Sequence, residues 1–259
     1  MRRRGVALVL VLWIVVILGG LGAGVLSSSR ASAGVAGNLR AGAVARYAAE
    51  SGVVATVAEI EARLVATDDS VARADYLNAL ARTTRDSSSL GQGRFAVAIT
   101  DPTTRLDVNA APVDRLASLL AMFTDVGRAT ETARAIRAFI EQSASTAGDS
   151  RLAAPDGSLR FITPVRSLEV LRRIPGVDQA ALERAAPYLT VDGDGTVNQR
   201  AASDTVLRVA FGEVRNEPSR LVLIARGWQS GSPLTHEIQA VYAISGTSLV
   251  LAHWREQQR

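Results

Sequence analysis

Apolar residues are spread unevenly along the chain. From Gly5 to Leu26 there are 22 consecutive positions without a charge, built from Val, Leu, Ile, Ala, Gly and one Trp. At about 1.5 Å per residue a helix of that length crosses a hydrocarbon core of roughly 30 Å, so a membrane span over about residues 6–26 is predicted. Three arginines precede it and only Arg30 and Arg40 follow soon after. The positive-inside bias then holds the N-terminus in the cytoplasm and sends the bulk of the chain across. From Asn38 to Ala66 the chain is free of proline and rich in alanine, and Leu39, Val44, Ala48, Val53, Val57, Ile60 and Leu64 recur at helical spacing. The helix is predicted to continue out of the membrane, over 6–66.

The pattern then changes period twice. Thr67 to Gly93 is polar, with Asp68, Asp69 and the run Ser87 to Ser89, and reads as a loop holding a short helix around Tyr76 to Leu80. Phe95, Val97 and Ile99 alternate with small residues before Asp101 and Pro102, which predicts a strand. Between Pro102 and Gly212 the period is helical. Asp114 is the expected cap of a helix facing inward with Leu116, Leu119, Leu120 and Phe123, and the next presents Ala129, Ala133, Ile136 and Ile140. Ser167 is the expected cap before Leu168 and Leu171, and Asp178 caps a helix with Leu182 and Leu189. A last helix from about Asp204 is expected to turn Leu207, Ala210 and Phe211 inward. Val108 to Asp114 is faintly echoed by Val197 to Asp204, as two related helix caps would be. In the last fifty residues Leu221 to Ile224, Ile238 to Ile244 and Leu249 to Ala252 form β-branched or apolar runs separated by Gly231, Ser232, Pro233 and Gly246, which predicts three antiparallel strands. A strand, a helical block and then strands make the block an insertion into an α+β domain. The expected organisation is 1–5, 6–66, 67–101, the inserted helical block 102–212, and closing strands over 213–259.

Composition removes most catalytic chemistry. All 29 basic residues are arginine, so Schiff-base, P-loop and lysine general-base chemistry are excluded. There is no cysteine, which excludes disulfides, thiolate nucleophiles and cysteine metal sites, and only His236 and His253 supply imidazole. Neither lies in a nucleophile motif or at metal-ligand spacing, so no active site is predicted. The net charge of +4 includes Arg2, Arg3 and Arg4, and without them it is about +1. Bulk attraction to nucleic acid is therefore weak.

The junction Arg4, Gly5, Val6, Ala7, Leu8, Val9, Leu10 resembles the cleavage site of type IV pilin-like proteins, in which a short basic leader ends in Gly. A secretory signal peptide has the same order, and Ala31, Ser32, Ala33 offers its small-x-small site. The apolar run exceeds the roughly 7–15 residues usual for a cleaved signal core, and helical patterning continues beyond it. A single-pass anchor with no further role is the third reading. Most pilin-like proteins carry Glu at the fifth mature position, where this chain has Leu10. A carboxylate inside the membrane costs roughly 2.5–3.5 kcal/mol, so a subunit keeps one only with a cationic partner. The loss suggests a subunit with no neighbour to pair with.

With Asp101, Arg105 to Pro112 (RLDVNAAP), Ser167 to Val177 (SLEVLRRIPGV), Pro187 to Val191 (PYLTV) and Val197 to Ala202, the order of segments is similar to that of the minor pseudopilin K family of type II secretion. Leu10 also fits that family. The resemblance implies a pilin-like α+β fold with a helical spine of about sixty residues, half lipid-embedded and half covering the soluble domain, an antiparallel sheet and a large inserted all-α domain. It implies an inner-membrane, single-pass subunit with its bulk in the periplasm, placed at the tip of a short pseudopilus. Its partners would be the prepilin peptidase, sibling minor pseudopilins met through the spine, and exported proteins or the outer-membrane secretin. Family members bind calcium in the helical insertion. The acidic, aromatic-rich stretch expected near Ile140 to Phe161 is shortened here and carries Glu141, Asp149 and Asp156.

Asp192 and Asp194 alternate with Gly193 and Gly195 and offer two hard oxygen donors suited to calcium. The later ligands of an EF-hand are missing, with Ser203 where its bidentate Glu would stand, which favours a solvated turn. Ile174 to Val177, beside Arg172 and Arg173, resembles the turn of a helix-hairpin-helix, whose N–H groups can face a phosphate; packing of two short helices is the favoured reading. Asn109 and Asn198 read as helix-entry caps, and Trp228 and Trp254 as packing or interface residues. Two functions follow: a structural fibre-tip subunit, or a membrane-anchored DNA-binding module of competence type. The near-neutral charge favours the first.

Overall fold

The computed structural model describes residues 3–83, 87–146 and 165–258 and, of 3–10, 22–28, 31, 143–146 and 258, the backbone alone. Helix α1 (Arg3–Val65) runs 63 residues. No proline occurs before Pro102, so nothing interrupts its i to i−4 hydrogen bonds. Among the described residues no helix is long and apolar enough to cross a membrane. The predicted span includes 6–10 and 22–26, whose side chains lie outside the described residues, as do those of Gly5, Val6 and Leu10.

Helix α2 (Ser70–Leu80) starts earlier than the Tyr76 expected, because the Asp69 carboxylate accepts from the Val71 and Ala72 amides and caps it. The serine run expected to be loop is instead an edge strand. It forms β1 (Ser88–Leu90), which turns through Gly91 at φ +57° into β2 (Gly93–Thr100) with Ser88 opposite Phe95. After β2 the chain makes β3 (Leu106–Asp107), α3 (Val113–Leu120), α4 (Val126–Thr146), α5 (Leu168–Leu171), α6 (Gln179–Ala185), β4 (Leu189–Thr190), β5 (Val197–Asn198), α7 (Asp204–Val209) and β6 (Val214–Arg215). It ends in β7 (Arg220–Gln229), β8 (Thr235–Ser245) and β9 (Ser248–Gln258), the three antiparallel strands that the apolar runs and their turn residues predict.

The main sheet has the order β1-β2-β7-β8-β9, antiparallel throughout. The whole helical block thus lies, in sequence, between two strands that are neighbours in the sheet, β2 and β7. Helix α1 covers one face. Ala49, Val53, Ile60 and Leu64 are buried against Val97, Ile99, Leu221, Leu223, Ala225, Ile238 and Ala240. Leu39, placed on this inner face by its spacing, is instead 71% exposed, because the sheet stops short of it; Ala41 and Ala45 are the first buried positions. At the other end the Glu61 carboxylate accepts from the Leu249 amide and ties the spine to the last strand.

The helical block has its own core. Leu116, Leu119, Leu120, Ala129, Ala133, Ile136, Ile140, Leu171 and Leu182 are buried in one cluster, as the helical spacing predicts, and Leu106 of β3 and Val108 join them. Ser167 and Asp178 cap α5 and α6 as expected, accepting from the Glu169 and Ala181 amides. Asp114 does not cap α3. Pro112 holds that position without a side-chain bond, and Asp114 sits in the first turn, where its charge complements the helix dipole. In α7 the inward residues are Val206 and Val209, while Leu207, Ala210 and Phe211 are half-buried, because the helix stops at Val209 and Ala210 leaves it in extended conformation. With α3 capped by Pro112 and α7 by Ser203, the echoed segments do not share a cap.

Candidate functional site

Helix α1 is apolar on two faces. Opposite the face laid on the sheet, Tyr47 (67%), Val54 (66%) and Val65 (65%) are exposed, and Leu39 (71%), which has the spacing of the inner face, is exposed beside them where the sheet has ended. Ala36, Ala43 and Ala58 are exposed at intervening helical spacings and join them into one stripe. At about 1.5 Å per residue it is roughly 44 Å long. The same spacing that hides one side of the helix leaves this row without a packing partner among the described residues.

At its upper end the stripe borders a groove of about 860 Å³ between α1 and the start of β8, lined among others by Leu39, Ala43, Arg46, Tyr47, Leu234, His236 and Glu256. One carboxylate joins its walls. Glu256 accepts from the Trp254 indole N–H at 2.7 Å and from Arg46 Nη2 at 3.4 Å, and lies 3.3 Å from His236 Nε2. The indole bond above all, with Arg46 and His236, holds the Glu256 carboxyl below its usual range. Arg46 also pairs with Glu50 at 2.9 Å. Trp254 therefore packs and positions, as expected, and Trp228 is half-buried on β7.

Asp192 and Asp194 lie at the junction of the two cores. Asp192 accepts from Gln239 Nε2 at 2.9 Å and from Arg255. Asp194 accepts from the Thr196 amide at 3.0 Å, the Thr196 hydroxyl at 2.7 Å and the Ser219 hydroxyl at 2.7 Å, with Arg220 Nε 3.7 Å away. Burial pushes the Asp194 carboxyl up, but the Thr196 and Ser219 bonds and the Arg220 charge outweigh it and hold it low. All four oxygens already accept from protein donors, and two guanidiniums stand against them. That arrangement does not fit a calcium ion. Among the described residues no group of three or more acidic or imidazole side chains is placed to hold a metal. Glu141 is at the end of α4, and Asp149 and Asp156 lie outside the described residues.

The same junction contains a carboxylate that the sequence pattern did not single out. Asp107 is 5% exposed, and burial pushes its pKa up to about 6 despite the Asn109 amide bond and the Arg220 charge. Burial likewise raises Asp101, against bonds from Thr103 and Asn198. A Cβ on Gly193 would stand 2.8 Å from that of Asp107, so the 192–195 turn fits against this strand only with glycine there. The motif RLDVNAAP showed the residue, but only the docking of the turn shows its burial.

Asn109 and Asn198 are not helix caps. Asn109 donates to the carbonyls of Val165 and Val191 and accepts from the Val165 amide, joining three separated segments. Asn198, fully buried, donates to Asn78 at 2.9 Å and to Asp101 at 2.7 Å, tying the block to α2 and to the end of β2. Both are followed by other residues before a helix begins, so their side chains are free to make long-range bonds. In the turn at Ile174 to Val177, Ile174 is buried while Pro175 and Gly176 are exposed; Gly176 has φ +84°, the Asp178 amide that follows donates to the buried Thr132 hydroxyl at 3.0 Å, and Arg172 pairs with Glu169 and Glu183. Of the two imidazoles, His236 is buried beside Glu256. His253 is half-buried with its pKa lowered by burial and the Arg255 charge. The register sets Val241, not His236, opposite His253.

No family model and no curated protein matches the chain. Among solved structures it is similar to a chain of the crystal structure of the GspK-GspI-GspJ complex from the enterotoxigenic Escherichia coli type 2 secretion system. The identity is 12% and the TM-score 0.47, over 67% of this chain and 83% of that one.

Proposed function

We propose that the chain is a minor pseudopilin, a structural, non-enzymatic subunit at the tip of a type II secretion pseudopilus that supports protein export across the outer membrane. The observation that carries this reading is the second apolar face of α1. A helix that has buried one side on its own sheet and still exposes Tyr47, Val54 and Val65 along one row, with Leu39 beside them, is suited to pack against another helix. The apolar run above it, with its pilin-like junction at Gly5 and Val6, supports an anchor in the inner membrane with the bulk of the chain in the periplasm. Its partners in this reading are sibling minor pseudopilins, in the way that GspK is found with GspI and GspJ. Leu10, without the usual carboxylate, supports a terminal place in the fibre.

The rival reading, a DNA-binding module, has less support. Arg172 lies beside the carboxylates of Glu169 and Glu183, and Ile174 of the turn is buried in the core of the helical block.

The test is a secretion assay in a strain lacking the gene. Wild-type chain restores export, whereas Tyr47→Ser with Val54→Ser does not, although its far-ultraviolet spectrum and melting temperature stay within a few degrees of wild type. Both substituted residues are more than half exposed and carry little of the core. Full export with the double variant refutes the reading. Salt-sensitive binding to duplex DNA at micromolar concentration replaces it with the rival.

A further inference from the structure

We propose that the groove between α3 and α4 is a docking site for an amphipathic helix of a partner protein, read by Arg134 through a carboxylate on that helix. The groove is built by the helical block alone and does not depend on how α1 is packed.

Two rows of side chains form it. Val113 and Ala117 of α3, with Ala121 at its end, recur every fourth residue, and Val126, Thr130 and Arg134 of α4 do the same. Residues so spaced stand one above the other on one face of a helix. The short connection 121–125 sets the rows side by side in opposite directions, and the groove between them holds about 790 Å³. Val113, Ala117 and Ala121 pack inward on the core of the block, whereas Val126 is 72% exposed and Met122 is 41% exposed. One end of the groove is therefore apolar and uncovered among the described residues.

The other end is cationic. Of the four arginines on these two helices, Arg115 lies 3.4 Å from Asp114, Arg128 lies 3.4 Å from Asp125, and Arg137 donates to the carbonyls of Val108, Asn109 and Ala111. Arg134 has no partner among the described residues, although Glu131 stands three positions before it, a spacing at which helical ion pairs form. Its side chain lines the groove instead. The Ser118 and Thr130 hydroxyls donate to the carbonyls of Asp114 and Val126, each within its own helix, so the donor that the groove offers a ligand is Arg134. Val126 and Arg134 are about 12 Å apart along α4 at 1.5 Å per residue. A partner helix laid along two ridges of this spacing matches them with two apolar residues one turn apart and an acidic residue one turn further on.

The probes are two fluorescent, alanine-based helical peptides. Both carry two leucines one turn apart, and they differ one turn beyond, where one has Glu and the other Lys. Anisotropy is read as each is titrated with the full-length chain in phosphatidylcholine nanodiscs, whose lipid has no net charge, and with empty nanodiscs. The Glu peptide is expected to bind saturably and more tightly than the Lys peptide. Arg134→Gln weakens it roughly threefold, the size of one exposed ion pair, and Arg134→Glu reverses the preference. Ser118→Trp fills the groove and abolishes binding of both. Arg134 and Ser118 are exposed, so these variants leave the core intact. The site is overturned if neither peptide binds beyond the empty nanodiscs, if the two bind alike, if Arg134→Glu leaves their order unchanged, or if Ser118→Trp binds as wild type does.

Discussion

The main chain of α1 at Ala45 rests directly on the main chain of β7 at Gly227. A Cβ added to Gly227 would stand 2.0 Å from the Ala45 carbonyl oxygen and 2.5 Å from the Ala49 amide nitrogen. Both contacts are to backbone, which cannot rotate away. Gly52, against Phe95, and Gly93, against Ala48, repeat the device along the same crossing. Gly227→Ala must therefore lift the spine from the sheet. Overpacking of this kind costs on the order of 3 kcal/mol, and a denaturant midpoint unchanged from wild type would show that the helix does not lie where it is described.

Asp107 gives the fold a dependence on pH whose sign follows from its burial. Its folded pKa of about 6 lies above the unfolded 3.8, so the folded state binds a proton that the unfolded state does not. The stability contributed is complete below the unfolded value and is lost as pH rises through about 6, an effect of order 2–3 kcal/mol. Asp194, held low, acts in a separate window: its contribution is present above its unfolded value and is lost only as pH falls through its folded one. Asp107→Asn, which keeps the acceptor for the Asn109 amide, should flatten the melting temperature between about pH 4 and pH 6. A variant as pH-sensitive as wild type in that interval excludes Asp107 as the source.

Any response of the melting temperature to calcium should be the same in wild type and in Asp192→Ala with Asp194→Ala, because a ligand stabilises only a state that binds it and the Asp192 and Asp194 oxygens are already engaged. Asp192→Ala should destabilise equally with the ion and with a chelator, since it leaves Arg255 without its carboxylate in a half-buried site. A calcium-dependent rise in melting temperature that Asp192→Ala with Asp194→Ala erases would reinstate these residues as ligands.

Processing after Gly5 should leave a membrane-extracted protein beginning at Val6 with α1 retained from Val6 onward. Intact-mass spectrometry distinguishes this from a terminus at Gly34, which would indicate a signal peptide cut after Ala33 and a chain without its apolar segment.

Local patterns in the sequence were sufficient for the long elements but not for the short strands β1 and β3 to β6, which carry no apolar alternation and exist through their pairing. The spacing of Ala129, Ala133, Ile136 and Ile140 dictates a helix and its buried face, Ser167 and Asp178 mark helix starts, and the apolar and β-branched runs at 221–224 and 238–244 dictate strands, because periodicity, composition and capping depend on residues close to each other in sequence. Which exposed row of α1 remains free was not contained there: Leu39 has the spacing of a core residue, and its exposure follows only from where the sheet ends. The roles of Asn109 and Asn198 were equally hidden, since their partners, Val165 and Val191 for one and Asn78 and Asp101 for the other, are distant in sequence. So were the burial of Asp107 beneath Gly193 and the meeting of Arg46, His236 and Glu256. A carboxylate's charge state and a groove's walls depend on which surfaces exclude water together, and that is settled only when separate elements pack.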